Sequence, residues 1–203
     1  MSADNGENTS MLFYGALLLN KADTQTNDKE KYLKEAAFYL RKSSDQGNTV
    51  SMFLYGLILY NNDSVLINKQ KASFYFKQSA DAGNYFAMQM YGKMLLKGEG
   101  IKTNKTEAAI YFKKALDMGY TNSMFQYGQM LLKGIGIKAN KTSAYKYIED
   151  SMKYEIINSE LSMNFKITET WEINDTIEIL PKNLLIEYDQ TYYNEKLRYG
   201  KRL

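Results

Sequence analysis

The sequence predicts an all-α solenoid, and three observations carry that prediction. Tyr55-Gly56, Tyr91-Gly92 and Tyr127-Gly128 recur at a spacing of 36, with Tyr14-Gly15 a further 41 residues upstream. Ala36, Ala72, Ala108 and Ala144 keep the same period, as do Gly47, Gly83 and Gly119. Self-similarity on this scale marks stacked helical pairs, each too thin to bury its own apolar face. About four helix-turn-helix units are expected, near residues 7–47, 48–83, 84–119 and 120–155. A degenerate stretch at 156–165 closes a repeat domain of residues 1–165, and residues 166–203 form a separate C-terminal extension.

Taken in order, the chain opens on Ser2-Ala3-Asp4-Asn5-Gly6, which matches Ser79-Ala80-Asp81-Ala82-Gly83 at the end of a later unit. The expectation is a start inside the last turn of an earlier helix, in a chain cut from a longer array. In the clean unit the first helix lies near 86–97, with Ala87, Tyr91 and Leu95 on one face. Gly92 sits mid-helix at a cost of about 1 kcal/mol relative to Ala. Its recurrence in every unit calls for a neighbour too close to admit a Cβ.

Lys97-Gly98-Glu99-Gly100 and Lys133-Gly134-Ile135-Gly136 follow the first helices. Glycine there supplies a left-handed terminator. A phosphate loop is a poor reading, because these pairs follow helices and lack GxGxxG or GK[ST]. The second unit carries Asn62 and Ser64 instead, and the first has a polar insert, Lys21–Lys31, read as a surface loop. The second helix opens after Asn104, with Glu107 completing a capping box, and ends at Gly119. Its equivalents are 36–45, 72–81 and 144–152. Glu155 stands where the fourth closing glycine would recur, and 158–168 is in register with another first helix.

The extension changes period. Ile167, Trp171, Ile173, Ile177 and Ile179 alternate with mostly polar residues around Asn174-Asp175, which reads as a short β-hairpin, with a helix the alternative. Beyond Pro181, Leu185, Tyr188, Tyr192 and Leu197 read as a closing amphipathic helix. A solenoid needs a cap over its last apolar face, and Trp171 fits that role better than a ligand site.

Composition narrows the chemistry. The 203 residues carry a net charge of +3 and contain neither cysteine nor histidine. Disulfides and thiolate metal sites are therefore impossible, and the commonest general base is missing. The expectation is no catalytic residue, no cofactor and no metal. Carboxylate pairs such as Glu149-Asp150 offer no acid/base arrangement. Basic residues gather only at the end (Lys196, Arg198, Lys201, Arg202), so no stripe for nucleic acid is expected. No apolar run reaches the roughly 20 residues of a membrane span, and the polar start lacks signal-peptide regions. An intracellular, cytoplasmic protein is expected. Asn-X-Ser/Thr triplets at Asn8, Asn62, Asn104, Asn140 and Asn174 are read as chance in an asparagine-rich chain.

The units resemble Sel-1-like repeats of the tetratricopeptide-repeat superfamily. Ala87, Gly92, Gly98, Gly100 and Ile101 match the first half of the pattern, with Tyr91 and Leu95 exchanging its leucine and tyrosine. Glu107-Ala108, Tyr111-Phe112, Lys114-Ala115 and Gly119 match the second half. The resemblance covers about residues 1–165. It implies a right-handed superhelix, first helices lining a concave face, and an adaptor or scaffold without chemistry of its own.

The corresponding groove wall is Val50, Phe53, Leu57 and Tyr60; Phe86, Gln89, Lys93 and Leu96; and Asn122, Phe125, Gln129 and Leu132. Phe53, Tyr60, Phe86, Gln89, Lys93, Phe125 and Gln129 are the candidate partner-binding residues, suited to a peptide or protein segment with apolar anchors. Phe53 and Phe125 read equally well as filler between units. Met52, Met88 and Met124 read as packing rather than as an adaptable surface. Two other functions compete with the adaptor. Cysteine-rich secreted relatives bind or cleave β-lactams, but this chain has none of their staples. A regulatory segment activating or localising an enzyme domain outside this chain is the other. Partner identity and oligomeric state are not readable from the sequence.

Overall fold

A computed structural model describes the backbone of residues 2–24, 26–61 and 66–165, and the side chains of 6–24, 27–61 and 66–153. The chain divides into Met1–Ile156 and Ile157–Leu203, and the repeats occupy the first unit. Eight α-helices are described: α1 Ser2–Thr24, α2 Lys29–Asp45, α3 Thr49–Tyr60, α4 Lys69–Asp81, α5 Tyr85–Lys97, α6 Lys105–Asp117, α7 Met124–Lys133 and α8 Lys141–Phe165. Short 3-10 turns stand at Thr26–Asp28 and Thr121–Ser123. Among the described residues there is no strand. Each helix from α1 to α7 packs on its successor or predecessor in chain order, as a solenoid requires. The expected hairpin and final helix of 166–203, and the turn at Asn62 and Ser64, lie outside the described residues.

Within each pair, the mid-helix glycine meets one large side chain of the second helix. A Cβ on Gly56 would lie 2.8 Å from the Phe76 ring, and one on Gly92 3.1 Å from that of Phe112. Leu40 fills the same place beside Gly15, and Ile148 beside Gly128. Alongside, a tyrosine from each helix meets edge to face: Tyr14–Tyr39, Tyr55–Tyr75, Tyr91–Tyr111 and Tyr127–Tyr147, with centroids 4.8, 4.8, 4.9 and 5.3 Å apart. Beneath them Ala36, Ala72, Ala108 and Ala144 are fully buried. Small residues recur there because two helix backbones approach closely.

Asparagines punctuate the array. Asn68, Asn104 and Asn140 each accept a side-chain cap bond from the amide three residues on. Each also donates its own amide to a carbonyl of the preceding helix (Leu59, Leu95 and Leu131), closing the hairpin. The Glu107 side chain accepts from Asn104 Nδ2 at 2.9 Å rather than from the Asn104 backbone N–H, which donates to the Leu95 carbonyl, so the expected capping box forms only in part. Asn104 and Asn140 thus serve as caps. Asn48 and Asn84 cap α3 and α5 in the same way. The fourth unit has Tyr120 there, and α7 starts later, after a 3-10 turn.

Three expectations need correction. No turn forms at Gly6: α1 runs straight through it, clamped to α2 by Glu7–Lys42 at 3.1 Å and by Asn8–Ser43. The insert at 21–31 is mostly helical rather than a loop, because Ala22 is buried and α1 extends to Thr24. Residues 158–165 do not begin a separate first helix but continue α8. Gly47, Gly83 and Gly119 end their helices at φ of 87, 94 and 86°. Glu155 is not suited to that conformation, and no terminator stops the helix.

Candidate protein-binding surface

First helices of successive units bring an aromatic ladder together. The Phe53 ring of α3 stacks on Phe86 of α5 at 5.7 Å, and Phe86 meets Tyr120, just before α7, edge to face at 5.1 Å. Tyr85 completes the cluster, 4.5 Å from Phe86 and stacked on Tyr120 at 5.1 Å. Aromatic pairs in these geometries add about 0.5–1.5 kcal/mol each beyond their buried area. The ladder therefore holds three units in register while leaving Phe86 42% exposed.

The candidates from the sequence divide on this geometry. Phe53 and Phe86 are brought together. Phe53, half-buried, also approaches Phe76 of its own unit at 5.9 Å, so it packs within its pair as well as across to the next. Gln89 is a correction: it is buried, its Nε2 donates to the Asn122 carbonyl at 3.2 Å, and its Oε1 accepts from the Tyr120 hydroxyl. Its amide belongs to the joint between α5 and the turn before α7. Phe125 and Gln129 are half-buried on α7. Lys93, half-buried on α5, has its ammonium pKa pushed down by burial and then by Lys97. Met88 is buried, as the packing reading requires.

Tyr60 ends α3 and donates to Glu99 Oε2 at 2.8 Å, across to the turn after α5. Lys69 bonds the same oxygen at 3.2 Å and lies 5.3 Å over the Tyr60 ring. Burial and the bond to Glu99 push the Tyr60 hydroxyl up to about 12. The bond from Tyr60, followed by Lys69 and Lys97, holds the Glu99 carboxyl below its usual range despite burial. Tyr60, half-buried, is therefore a joint residue. Sequence reasoning missed Tyr85 and Tyr120. Their signal was an aromatic at the start of two first helices, hidden because Tyr120 replaces an asparagine cap.

The arrangement is a ridge of aromatic rings joined to the amides of Gln89 and Asn122, suited to holding apolar side chains. It defines a class, an α-solenoid scaffold. The Sel1 repeat model matches residues 10–48, 49–84, 86–120 and 121–149, and the chain belongs to that family. Sel1 repeat proteins generally serve as protein-interaction scaffolds and are typically non-catalytic. The fold is similar to that of a Sel1 repeat protein from Oxalobacter formigenes (TM-score 0.64, 19% identity, 76% of this chain and 60% of that one). It is also similar to a protective antigen of uropathogenic Escherichia coli strains displaying an SLR fold (TM-score 0.65, 22% identity, 97% of this chain and 42% of that one). The chain thus spans less than two thirds of either structure. No curated protein sequence matches it. Among the described residues, no helix is long and apolar enough to cross a membrane.

Proposed function

We propose that this chain is a non-catalytic intracellular adaptor that holds a peptide or protein segment along the first-helix face of α3, α5 and α7. The observation that carries the reading is the continuous ladder Phe53–Phe86–Tyr120, exposed at Phe86, with half-buried Lys93 two turns further along α5 and half-buried Gln129 on α7. An exposed aromatic backed by a rigid stack matches the anchor chemistry of interface hot spots, because little side-chain entropy is lost on binding. The half-buried ammonium of Lys93 on the same helix favours a carbonyl-rich or acidic segment over a basic one.

Selection of peptides from a random library on the immobilised chain tests the reading. Enriched peptides should carry aromatic or aliphatic anchors with acidic or neutral flanks. Phe86→Asp should weaken them by about tenfold or more while leaving the helical circular dichroism intact. Peptides that bind the Phe86→Asp chain as tightly as the parent would overturn the assignment.

A further inference from the structure

The helices of the proposed face are charged with one sign only. Across the chain 26 basic residues stand against 23 acidic ones, yet α3, α5 and α7 contain no Asp or Glu. α3 is uncharged, α5 carries Lys93 and Lys97, and α7 carries Lys133. On the second helices half-buried lysines are matched. Lys77 of α4 pairs with Asp81 at 2.6 Å, Lys113 of α6 pairs with Asp117, and Lys69 of α4 reaches Glu99 at 3.2 Å.

Lys93 is different. It is half-buried too, and among the described residues no carboxylate pairs with it. Burial, and then the like charge of Lys97, both disfavour its ammonium form. Lys97 is exposed and has Glu99 at 3.7 Å. A half-buried ammonium without a counter-ion costs the folded chain free energy that a bound carboxylate would return. Leu57 and Gln129 hold the equivalent places in the units on either side, so this row carries its charge in the middle unit alone.

Lys93 follows Phe86 by seven residues. Seven residues make nearly two turns, which return to the same side of α5 about 10 Å further along. A ligand seated on both presents an apolar side chain and a carboxylate at that separation. The face offers little to the backbone of an extended ligand: Phe53, Leu57 and Phe86 are apolar, and the Gln89 amide is engaged by Asn122 and Tyr120. A helix satisfies its own backbone and sets residues seven apart on one side. We propose that the segment held here is an amphipathic helix with an Asp or Glu seven residues from its apolar anchor, the anchor on Phe86 and the carboxylate on Lys93. The inference rests on the adaptor reading and adds to it the class of partner, an acidic helix.

Random-library peptide selection on the unsubstituted chain and on Lys93→Met, Lys93→Glu and Lys97→Met chains tests this. On the unsubstituted chain, enriched peptides should place Asp or Glu seven positions from the apolar anchor. Replacing that acid by Ala should weaken binding about fivefold or more in fluorescence anisotropy, a readout that needs no variant chain to fold. Lys93→Met should keep the anchor and lose the acidic preference. Lys93→Glu should enrich Lys or Arg at that position instead, and Lys97→Met should leave the preference as it is. Anchored peptides without an acidic preference, or a preference unmoved by Lys93→Glu, would overturn the proposal and leave the adaptor reading standing. An acid three positions from the anchor, which spans the same about 10 Å in an extended segment, would overturn the helical partner. A selection that enriches nothing would overturn both readings, the face then serving the chain itself or a second copy.

Discussion

Gly56 and Gly92 stand at equivalent places, yet their surroundings differ by a few tenths of an ångström. A Cβ on either gains about 1 kcal/mol of helix propensity and meets a buried ring. Overpacking typically costs about 1–3 kcal/mol, so the balance is set by distance. Gly56→Ala should lower stability more than Gly92→Ala, and Phe112→Leu in the Gly92→Ala background should restore part of the loss, as read from urea midpoints. The paired turn glycines separate more sharply. Gly98 and Gly134 cap their helices in the left-handed region. The second glycine of each pair does something else: a Cβ on Gly100 would lie 2.4 Å from the Lys69 backbone, and one on Gly136 2.2 Å from that of Lys105. Gly100→Ala is therefore both strained at φ 72° and blocked by the neighbouring unit, and should be the most damaging of the three. The period alone made the need for glycine legible. It could not say that one glycine terminates a helix and the next admits the preceding unit, because both are equally periodic.

At the level of helices, the caps and turns fix where each unit ends. Asn104→Ala removes the side-chain cap of α6 and the bond to Glu107, and should cost about 1 kcal/mol in chemical unfolding. The Tyr60–Glu99–Lys69 clamp gives the joint between α3 and α5 a pH signature. Glu99 has a lowered folded pKa, so its stabilisation is present above the ordinary glutamate range. It is lost as pH falls through that range to the lowered value. Tyr60 has a raised one, so its share holds below the ordinary tyrosine value and fades as pH rises toward about 12. Glu99→Gln should flatten the acid limb of melting temperature against pH. An unchanged limb would remove the clamp from the account. The cap at Asn104 is legible from the asparagine before the helix and Glu107 three residues on, and Glu155 marks where the closing glycine is missing. The register match of 158–168 pointed the other way, and the absence of a terminator decided the outcome in favour of one long α8.

For the whole molecule, four pairs repeat one plan while their exposed faces differ. The stacking and the family were legible because Tyr-Gly, Ala and Gly keep step over four units. The candidate face was only half legible: helical spacing put Phe53, Phe86 and Gln89 on one side. Which of them remains open depends on neighbours such as Tyr120, thirty-odd residues away in sequence. The buried amide of Gln89 is the clearest instance. The adaptor reading places a partner across α3, α5 and α7, and hydrogen exchange with a selected peptide bound tests it most directly. Slowed amide exchange should concentrate in 49–60, 85–97 and 120–133. Slowing confined to α4 and α6, or no slowing at all, would contradict it.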